Sequence, residues 1–251
     1  MSSTIAKEHS AQASDAKSRP GIQPVAILDS PLSKPVALVR PAVLLGLLAL
    51  GFNDLVAEPV STLRNALPVV ALAQAAYAVV CLPIAGSSHT TTCKKLRPGE
   101  KRKVDANSAN AISTAILALL LASLSTPIIH VLFVLFGAPF LDHVPHTLLC
   151  AAHFSLVGLF PIFYTRGVDG QALTTIAAAA APLDETFGGL AGAVLGAWLG
   201  AVPIPLDWDR EWQKWPVTIL VGMYAGSMLG SWMSGALLYG KQLGETSSKD
   251  E

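Results

Sequence analysis

The chain has 251 residues, of which 52% are apolar and only 14% are charged, and its formal net charge is zero. Together with a mean hydropathy of +0.51, this scarcity of charge excludes an ordinary soluble domain, in which about a quarter of the residues are charged. The composition therefore predicts a membrane protein.

Six apolar stretches follow one another along the chain. A hydrocarbon core about 30 Å thick needs roughly 20 helical residues for each crossing, and each stretch approaches or exceeds that length. We therefore expect an all-α, polytopic fold with six transmembrane helices. The stretches lie at residues 36–53, 66–85, 111–136, 144–164, 187–204 and 217–239.

Polar segments flank the apolar region at both ends. Residues 1–35 are rich in Ser, Ala and Pro and contain no apolar core of a signal peptide, so we predict a disordered tail there. We assign residues 36–240 to a six-helix transmembrane domain and residues 241–251 to a second tail. With six crossings, both tails lie on the same side of the membrane.

The basic residues indicate which side that is. The run KKLRPGEKRK, residues 94–103, lies between the second and third stretches, on the side of both tails. Only Arg64, Arg210 and Lys214 fall on the opposite side. Because loops rich in Lys and Arg stay on the cytosolic side, we predict that the N- and C-termini are cytosolic.

Small residues recur at every fourth position in the last two stretches. On a helix this spacing gives a narrow ridge without side chains, where another backbone can approach closely. The two ridges predict helix-packing faces, which meet each other or a helix of a partner. Their members are Gly188, Gly192, Gly196 and Gly200 in the fifth stretch and Gly222, Gly226, Gly230 and Ser234 in the sixth.

The polar hairpin PIPLDWDREWQKWP, residues 203–216, joins these two stretches. Pro203 and Pro205 lack the backbone donor that a helix needs, whereas Pro216 suits the first turn of the next helix. Indole rings prefer the level of the lipid headgroups. The region therefore predicts a docking or membrane-anchoring surface on the non-cytosolic side, formed by Trp198, Asp207, Trp208, Asp209, Trp212 and Trp215.

Two stretches resemble one known family. GAWLGAVPIPLDWDREWQKWP, residues 196–216, is similar to the signature of the PIG-F family, membrane proteins of glycosylphosphatidylinositol (GPI) anchor synthesis in the endoplasmic reticulum. HVLFVLFGAPFLDHVPHT, residues 130–147, is similar to the second recognisable stretch of that family. The resemblance covers roughly residues 36–243. In the second stretch the residues that carry it are Phe133, Gly137, Ala138 and Pro139.

The resemblance implies a multi-pass accessory subunit of the endoplasmic reticulum membrane. It would bind and stabilise the large catalytic ethanolamine phosphate transferases, which add phosphoethanolamine to mannoses of the GPI anchor precursor. The hairpin surface would then face the lumen. Besides these partners we expect contact with membrane lipid, with the GPI precursor as a candidate ligand, and we expect no catalytic residue, cofactor or bound nucleic acid.

Residues that could carry chemistry of their own are few. Asp142, His143 and His146 come closest to a metal-ligand set, but Pro145 separates the two histidines and no third His or Cys is near, so we predict no metal site. Asp169 and Gly170 resemble the start of the CDP-alcohol phosphotransferase motif without its continuation, and a turn is expected there. Cys81, Cys93 and Cys150 lack metal-binding spacing.

Polar residues inside the apolar stretches can have a structural or a functional role. Such groups are costly in the bilayer and usually face protein or water. We expect His130 and His153 to be neutral and hydrogen-bonded by neighbouring helices, while a proton relay or a lipid path is the alternative. Arg40, Gln74 and Tyr77 belong to the same class.

Three hypotheses remain for the function. The first is the accessory subunit, whose glycine faces hold the membrane helices of a transferase. The second is a small integral-membrane enzyme acting through Asp207, Asp209 or His146. The third is a transporter or scramblase for the GPI lipid intermediate, in which kinked helices form the path.

Overall fold

The computed structural model describes residues 22–87, 104–206 and 208–242. Within them the regular elements are helices, apart from an isolated β-bridge between Pro182 and Gln242, which confirms the all-α prediction. The basic run 94–103, Cys93 and Asp207 lie outside these residues. The α-helices are α1 (Ser33–Leu50), α2 (Phe52–Ala57), α3 (Pro59–Cys81), α4 (Val104–Leu135), α5 (Val144–Phe154), α6 (Phe160–Arg166), α7 (Gly170–Ala177), α8 (Glu185–Ala201) and α9 (Val217–Ala236).

Four helical segments are long and apolar enough to span a membrane, and they correspond to the first four predicted stretches. The fifth and sixth stretches form α8 and α9. α8 has only 17 residues, and the Gly and Ser positions of α9 lower its mean hydropathy, so neither meets the same criteria. Six crossings and the side of the termini therefore stay predictions. The four candidate spans are Ser33–Leu50, Pro59–Cys81, Asn110–Leu135 and Val144–Arg166.

The helix that corresponds to the second predicted stretch is α3, and it begins at Pro59, earlier than the apolar run from residue 66 suggested. Pro59 occupies its first turn, where the missing backbone donor carries no cost. Arg64 and Asn65, which precede the apolar run, belong to this helix and are exposed. The first helix ends at Leu50, and Gly51 separates it from the short α2.

A π-helical turn, Ser155–Leu159, joins α5 to α6 within one apolar segment. The wider turn leaves main-chain carbonyls available for other donors. The buried amide of Gln74 on α3 uses two of them, since its Nε2 donates to the carbonyl oxygens of Leu156 at 3.0 Å and Val157 at 3.4 Å. The turn is thereby connected to α3 by side-chain hydrogen bonds.

The core lies between the helices. One cluster joins Leu63 on α3 to Cys150 on α5, Ala193 on α8 and Met223 on α9. Cys81 and Cys150 are buried free thiols. The helices α4 and α1 keep broad apolar faces exposed, as expected for segments that contact lipid.

Residues 22–32, which we call the N-terminal strap, run in non-helical conformation across one end of the bundle. The amide of Leu28 donates to the carbonyl of Cys81 at 2.8 Å, and the amide of Val25 donates to the carboxylate of Asp184 at 3.0 Å. The part of the predicted tail from residue 22 onward is therefore bound to α3 and to the start of α8.

Candidate functional site

The two glycine ridges pack against each other. A Cβ atom added to Gly196 would meet the carbonyl oxygen of Gly222, and it would lie 3.0 Å from the Cα of Gly226. A Cβ added to Gly192 would meet the carbonyl oxygen of Gly226, and the same additions on α9 meet α8 in return. Only glycine permits this approach, because any side chain would force the two backbones apart.

The ridges remain in contact over the length of both helices. At one end Gly200 faces the carbonyl of Thr218, and at the other Gly188 faces the side chain of Ser234. Of the two arrangements that the sequence left open, the structure shows the one in which the ridges meet each other. Their inner faces are therefore occupied within the chain, so a partner would have to contact α8 and α9 on their outer faces.

The polar hairpin, residues 203–216, which we now call the hairpin loop, is held in shape by a residue that the sequence analysis did not single out. Gln213 is 8% exposed. Its Nε2 donates to the carbonyl oxygens of Pro203 and Leu206, both at 2.7 Å, and its Oε1 accepts from the amide of Arg210 at 3.0 Å. An uncharged amide among charged neighbours is the signal in the sequence that could have identified it.

The tryptophans of the hairpin region have different environments. Trp198 is 67% exposed and Trp208 is 53% exposed, and the rings of Trp208 and Trp212 lie 5.9 Å apart. Trp215 is partly buried and its Nε1 donates to the hydroxyl of Thr147 on α5 at 3.0 Å. Trp198 and Trp208 are thus exposed at the surface, Trp212 is half-buried beside Trp208, and Trp215 connects the hairpin loop to the bundle.

Beside them, Pro216 is buried at the start of α9, and Pro203 and Pro205 stand in the turn that follows α8. Asp209 is exposed and adopts a left-handed backbone conformation, with φ of 48°. Glu211 and Lys214 form an exposed ion pair. The loop therefore offers carboxylate and indole groups outward while its own backbone is held by Gln213.

The second motif forms the end of α4. Gly137 has φ of 102° and follows the last turn, where the amide of Ala138 donates to the carbonyl of Phe133 at 2.9 Å. The ring of Phe133 meets that of Phe154 edge-on at 5.7 Å. Pro139 follows the cap, as is common after a helix end. The motif therefore turns the chain toward α5, whose Thr147 accepts the bond from Trp215.

Both motif stretches accordingly meet at the same end of the bundle. The rings of His143 and His146 lie 4.9 Å apart at the start of α5. Among the described residues, no group of three or more His, Cys, Asp or Glu is arranged to hold a metal ion. Asp169 caps α7, because its carboxylate accepts from the amide of Gln171 at 3.0 Å.

The buried histidine of the fourth stretch bridges three helices. His153 is 1% exposed, its Nδ1 lies 2.6 Å from the hydroxyl of Tyr224, and its Nε2 lies 3.0 Å from the carbonyl oxygen of Leu63. Both ring nitrogens thus have partners on neighbouring helices, as expected. His130 on α4 is half-buried, and its Nδ1 has no partner among the described residues.

Charged side chains connect the opposite end of α8 to the bundle. The Nη2 of Arg166 lies 2.5 Å from Asp184 Oδ2, and both side chains are buried. Asp184 also caps α8, because its Oδ1 accepts from the amides of Thr186 and Phe187, each at 2.9 Å. The sequence analysis missed this pair, although an Asp just before an apolar helix is a known start signal.

A second buried group joins α1, α3 and α8. Arg40 is 7% exposed and its Nε donates to Gln74 at 2.9 Å. Its guanidinium carbon lies 4.1 Å from the centre of the Tyr77 ring, a favourable cation–π geometry. The hydroxyl of Tyr77 donates to Glu185 at 2.5 Å. The polar residues of the apolar stretches therefore connect helices.

Comparison with known proteins identifies the family. A family model described as "GPI biosynthesis protein family Pig-F" matches residues 39–235, which include both motif stretches. The chain belongs to the PIG-F family. The resemblance predicted from residues 130–147 and 196–216 is thereby confirmed.

Fungal relatives carry the name "Glycosylphosphatidylinositol anchor biosynthesis protein 11". The chain is 52% identical to the Neurospora crassa protein over 221 residues, which are 88% of this chain and 81% of that protein. Identity to the Pyricularia oryzae protein is 52% over 215 residues, covering 83% and 81%. For Aspergillus fumigatus it is 40% over 266 residues, covering 93% and 90%. No solved structure shows a significant match.

Proposed function

We propose that this chain is a non-catalytic subunit of the endoplasmic reticulum membrane that binds and stabilises ethanolamine phosphate transferases of GPI anchor biosynthesis. The observation that carries the proposal is its membership of the PIG-F family over residues 39–235. The names of its relatives support the pathway. The partners would be the large catalytic subunits that add phosphoethanolamine to mannoses of the precursor.

The packing of α8 and α9 supports a role in assembly. Their backbones meet along the glycine ridges, so the pair can present one firm outer surface. That surface exposes Trp198, Leu195, Leu229 and Trp232, which are between 57% and 67% exposed. Tryptophan is enriched among the residues that dominate binding interfaces, and we assign this outer surface to the transferase helices.

The proposal includes six crossings with both termini in the cytosol. At a rise of 1.5 Å per residue, the 17 residues of α8 and the 20 of α9 extend about 26 Å and 30 Å. These lengths suit a bilayer, since a span accepts roughly 17–25 residues. The hairpin loop and the second motif would then lie in the lumen, and the N-terminal strap would lie in the cytosol.

Co-purification of the transferase tests the proposal. The variant with Trp198→Ala and Trp232→Ala removes two exposed rings without touching the glycine ridges. We expect recovery of the transferase with the tagged chain to fall at least about fivefold, because truncated anchor residues commonly cost more than 1 kcal/mol. The control carries Leu120→Ala and Leu124→Ala on the exposed face of α4 and should retain recovery.

Two other outcomes would favour the alternatives. Turnover of a phosphoethanolamine donor by the purified chain alone would support a small integral-membrane enzyme. Movement of a GPI intermediate between leaflets of proteoliposomes that contain only this chain would support a lipid transporter. Equal recovery of the transferase by the tryptophan variant and the control would contradict the assigned surface.

A further inference from the structure

A groove of about 480 Å³ opens between α1, α2 and the first part of α3. Asp54 and Glu58 line it together with the polar side chains of Ser61 and Asn65, while Leu47 and Val69 line its apolar side. We call it the α1–α3 groove. Its volume lies within the range typical of small-molecule sites, roughly 300–1,000 Å³.

The position of the groove relates it to the membrane surface. The candidate spans Ser33–Leu50 and Pro59–Cys81 are joined by α2, so the end of the first and the start of the second lie at the same membrane face. Asp54 and Glu58 belong to this connection and are exposed. Carboxylates therefore stand at headgroup depth, and the apolar side of the groove continues toward the hydrocarbon region.

The charges of the groove are not neutralised within the described chain. Among the described residues neither Asp54 nor Glu58 has an ion-pair partner, since the two ion pairs present are those of Arg166 and Lys214. Ser61 and Asn65 add oxygen atoms that accept hydrogen bonds. A ligand that matches this lining carries a positive charge with several N–H donors and has an apolar portion beside it.

The depth of the groove limits the size of the ligand. A separate void of about 30 Å³ lies beside the groove, shares Thr62 and Ala66 with it, and reaches His153 and Tyr224. That volume admits about one water molecule. The void is therefore too small for a headgroup, which would stay in the groove, and the attached acyl chains would lie along Leu47 and Val69.

We propose that the α1–α3 groove binds a phospholipid whose headgroup ends in a primary ammonium group, as that of an ethanolamine phospholipid does. The ammonium donates hydrogen bonds to Asp54 and Glu58, and the acyl chains lie on the apolar side of the groove. A choline headgroup has the same charge but no N–H donor, so it binds more weakly. The inference concerns lipid binding by this chain and does not require the transferase.

Photo-crosslinking tests the proposal on the purified full-length chain in nanodiscs. Two lipids with the same photoreactive acyl chain are compared, one with an ethanolamine and one with a choline headgroup. We expect the ethanolamine lipid to label the segment 44–72 about fivefold more than the choline lipid, because only its ammonium has N–H groups that can donate charge-assisted hydrogen bonds to the two carboxylates. The variant with Asp54→Asn and Glu58→Gln should reduce the labelling to the choline level.

The matched control is Asp142→Asn, which removes an exposed carboxylate outside the groove and should keep the preference. Equal labelling by the two lipids, or an unchanged preference in the groove variant, would overturn the proposal. A cross-link between two copies of the chain at this segment, in place of lipid, would also overturn it. Since no transferase is present, none of these results bears on the accessory role.

Discussion

A single amide side chain holds the hairpin loop in its shape. Gln213 donates to two carbonyl oxygens that follow α8 and accepts from one amide of the loop itself. These hydrogen bonds are partly buried, and a buried backbone group left without a partner costs about 1–3 kcal/mol at most. The conformation in which Trp208 and Asp209 are exposed therefore depends on a residue that is itself almost fully buried.

Gln213→Glu keeps the size of this side chain and removes its donor. A carboxylate would face the carbonyls of Pro203 and Leu206, so we expect a loss of about 2–3 kcal/mol in the free energy of unfolding and faster proteolysis of the loop. The measurement is thermal unfolding in detergent together with limited proteolysis. Gln171→Glu, at an exposed position of α7, is the control, and equal behaviour of both variants would contradict the assigned role.

At the scale of elements, α8 and α9 form a closely packed helix pair. Neither helix buries a large apolar face against the other, because the ridge positions are Gly and Ser. Without a hydrophobic driving force between helices in lipid, close van der Waals contact is the main source of their association. The stability of the pair should therefore respond steeply to the smallest added side chain.

Gly196→Ala places a methyl group against the carbonyl of Gly222, and backbone cannot move aside as a side chain can. We expect a loss of about 1–3 kcal/mol and a weaker disulfide cross-link between cysteines introduced on α8 and α9. Gly46→Ala is the matched control, because nothing lies within 4 Å of a Cβ at Gly46 in α1. It should be neutral or stabilise by up to about 1 kcal/mol, since Ala is the better helix former.

Much of this element-scale arrangement could be predicted from the sequence. The four-residue period of Gly188 to Gly200 predicts a ridge by helix geometry alone, and the apolar runs predict the helices. The contact of α8 with the bundle could not be predicted in the same way. It depends on two pairs, Arg166 with Asp184 and Tyr77 with Glu185, which have no common spacing in the sequence and meet only because the helices pack.

For the candidate site, the sequence predicted that the hairpin region and the second motif carry the family resemblance. Six predicted crossings put both on the same side of the membrane, but the sequence did not predict their contact, because the bond from Trp215 to Thr147 joins positions far apart in the chain. The α1–α3 groove was also not predicted, since a cavity depends on how helices diverge. Asp54 and Glu58 are visible in the sequence, but their shared groove is not.

At the scale of the whole molecule, the side chain of Asp184 connects three segments that lie apart in the sequence. Its carboxylate binds Arg166 at the end of α6, the first amides of α8, and Val25 in the N-terminal strap. A buried carboxylate with this many donors is well solvated by the protein. Its removal leaves the buried guanidinium of Arg166 without its charge partner.

Asp184→Ala should therefore cost about 3–5 kcal/mol in the free energy of unfolding, as expected when one partner of a buried ion pair is lost. Thermal unfolding in detergent measures the loss. Asp169→Ala is the control, because Asp169 caps the exposed start of α7 and a cap alone contributes about 1 kcal/mol. A similar loss in both variants would show that Asp184 acts only as a cap.

The N-terminal strap has a consequence for biogenesis. Besides Asp184, it contacts residues near the end of the described chain, since the hydroxyl of Tyr239 donates to the carbonyl of Pro24 at 3.3 Å. Residue 239 is synthesised long after residue 24, so this contact can form only after α9 has been made. Before α8 and α9 are made, the bond from Leu28 to Cys81 on α3 can already hold the strap, so it docks in two stages, first on α3 and later on the residues beside α8 and α9.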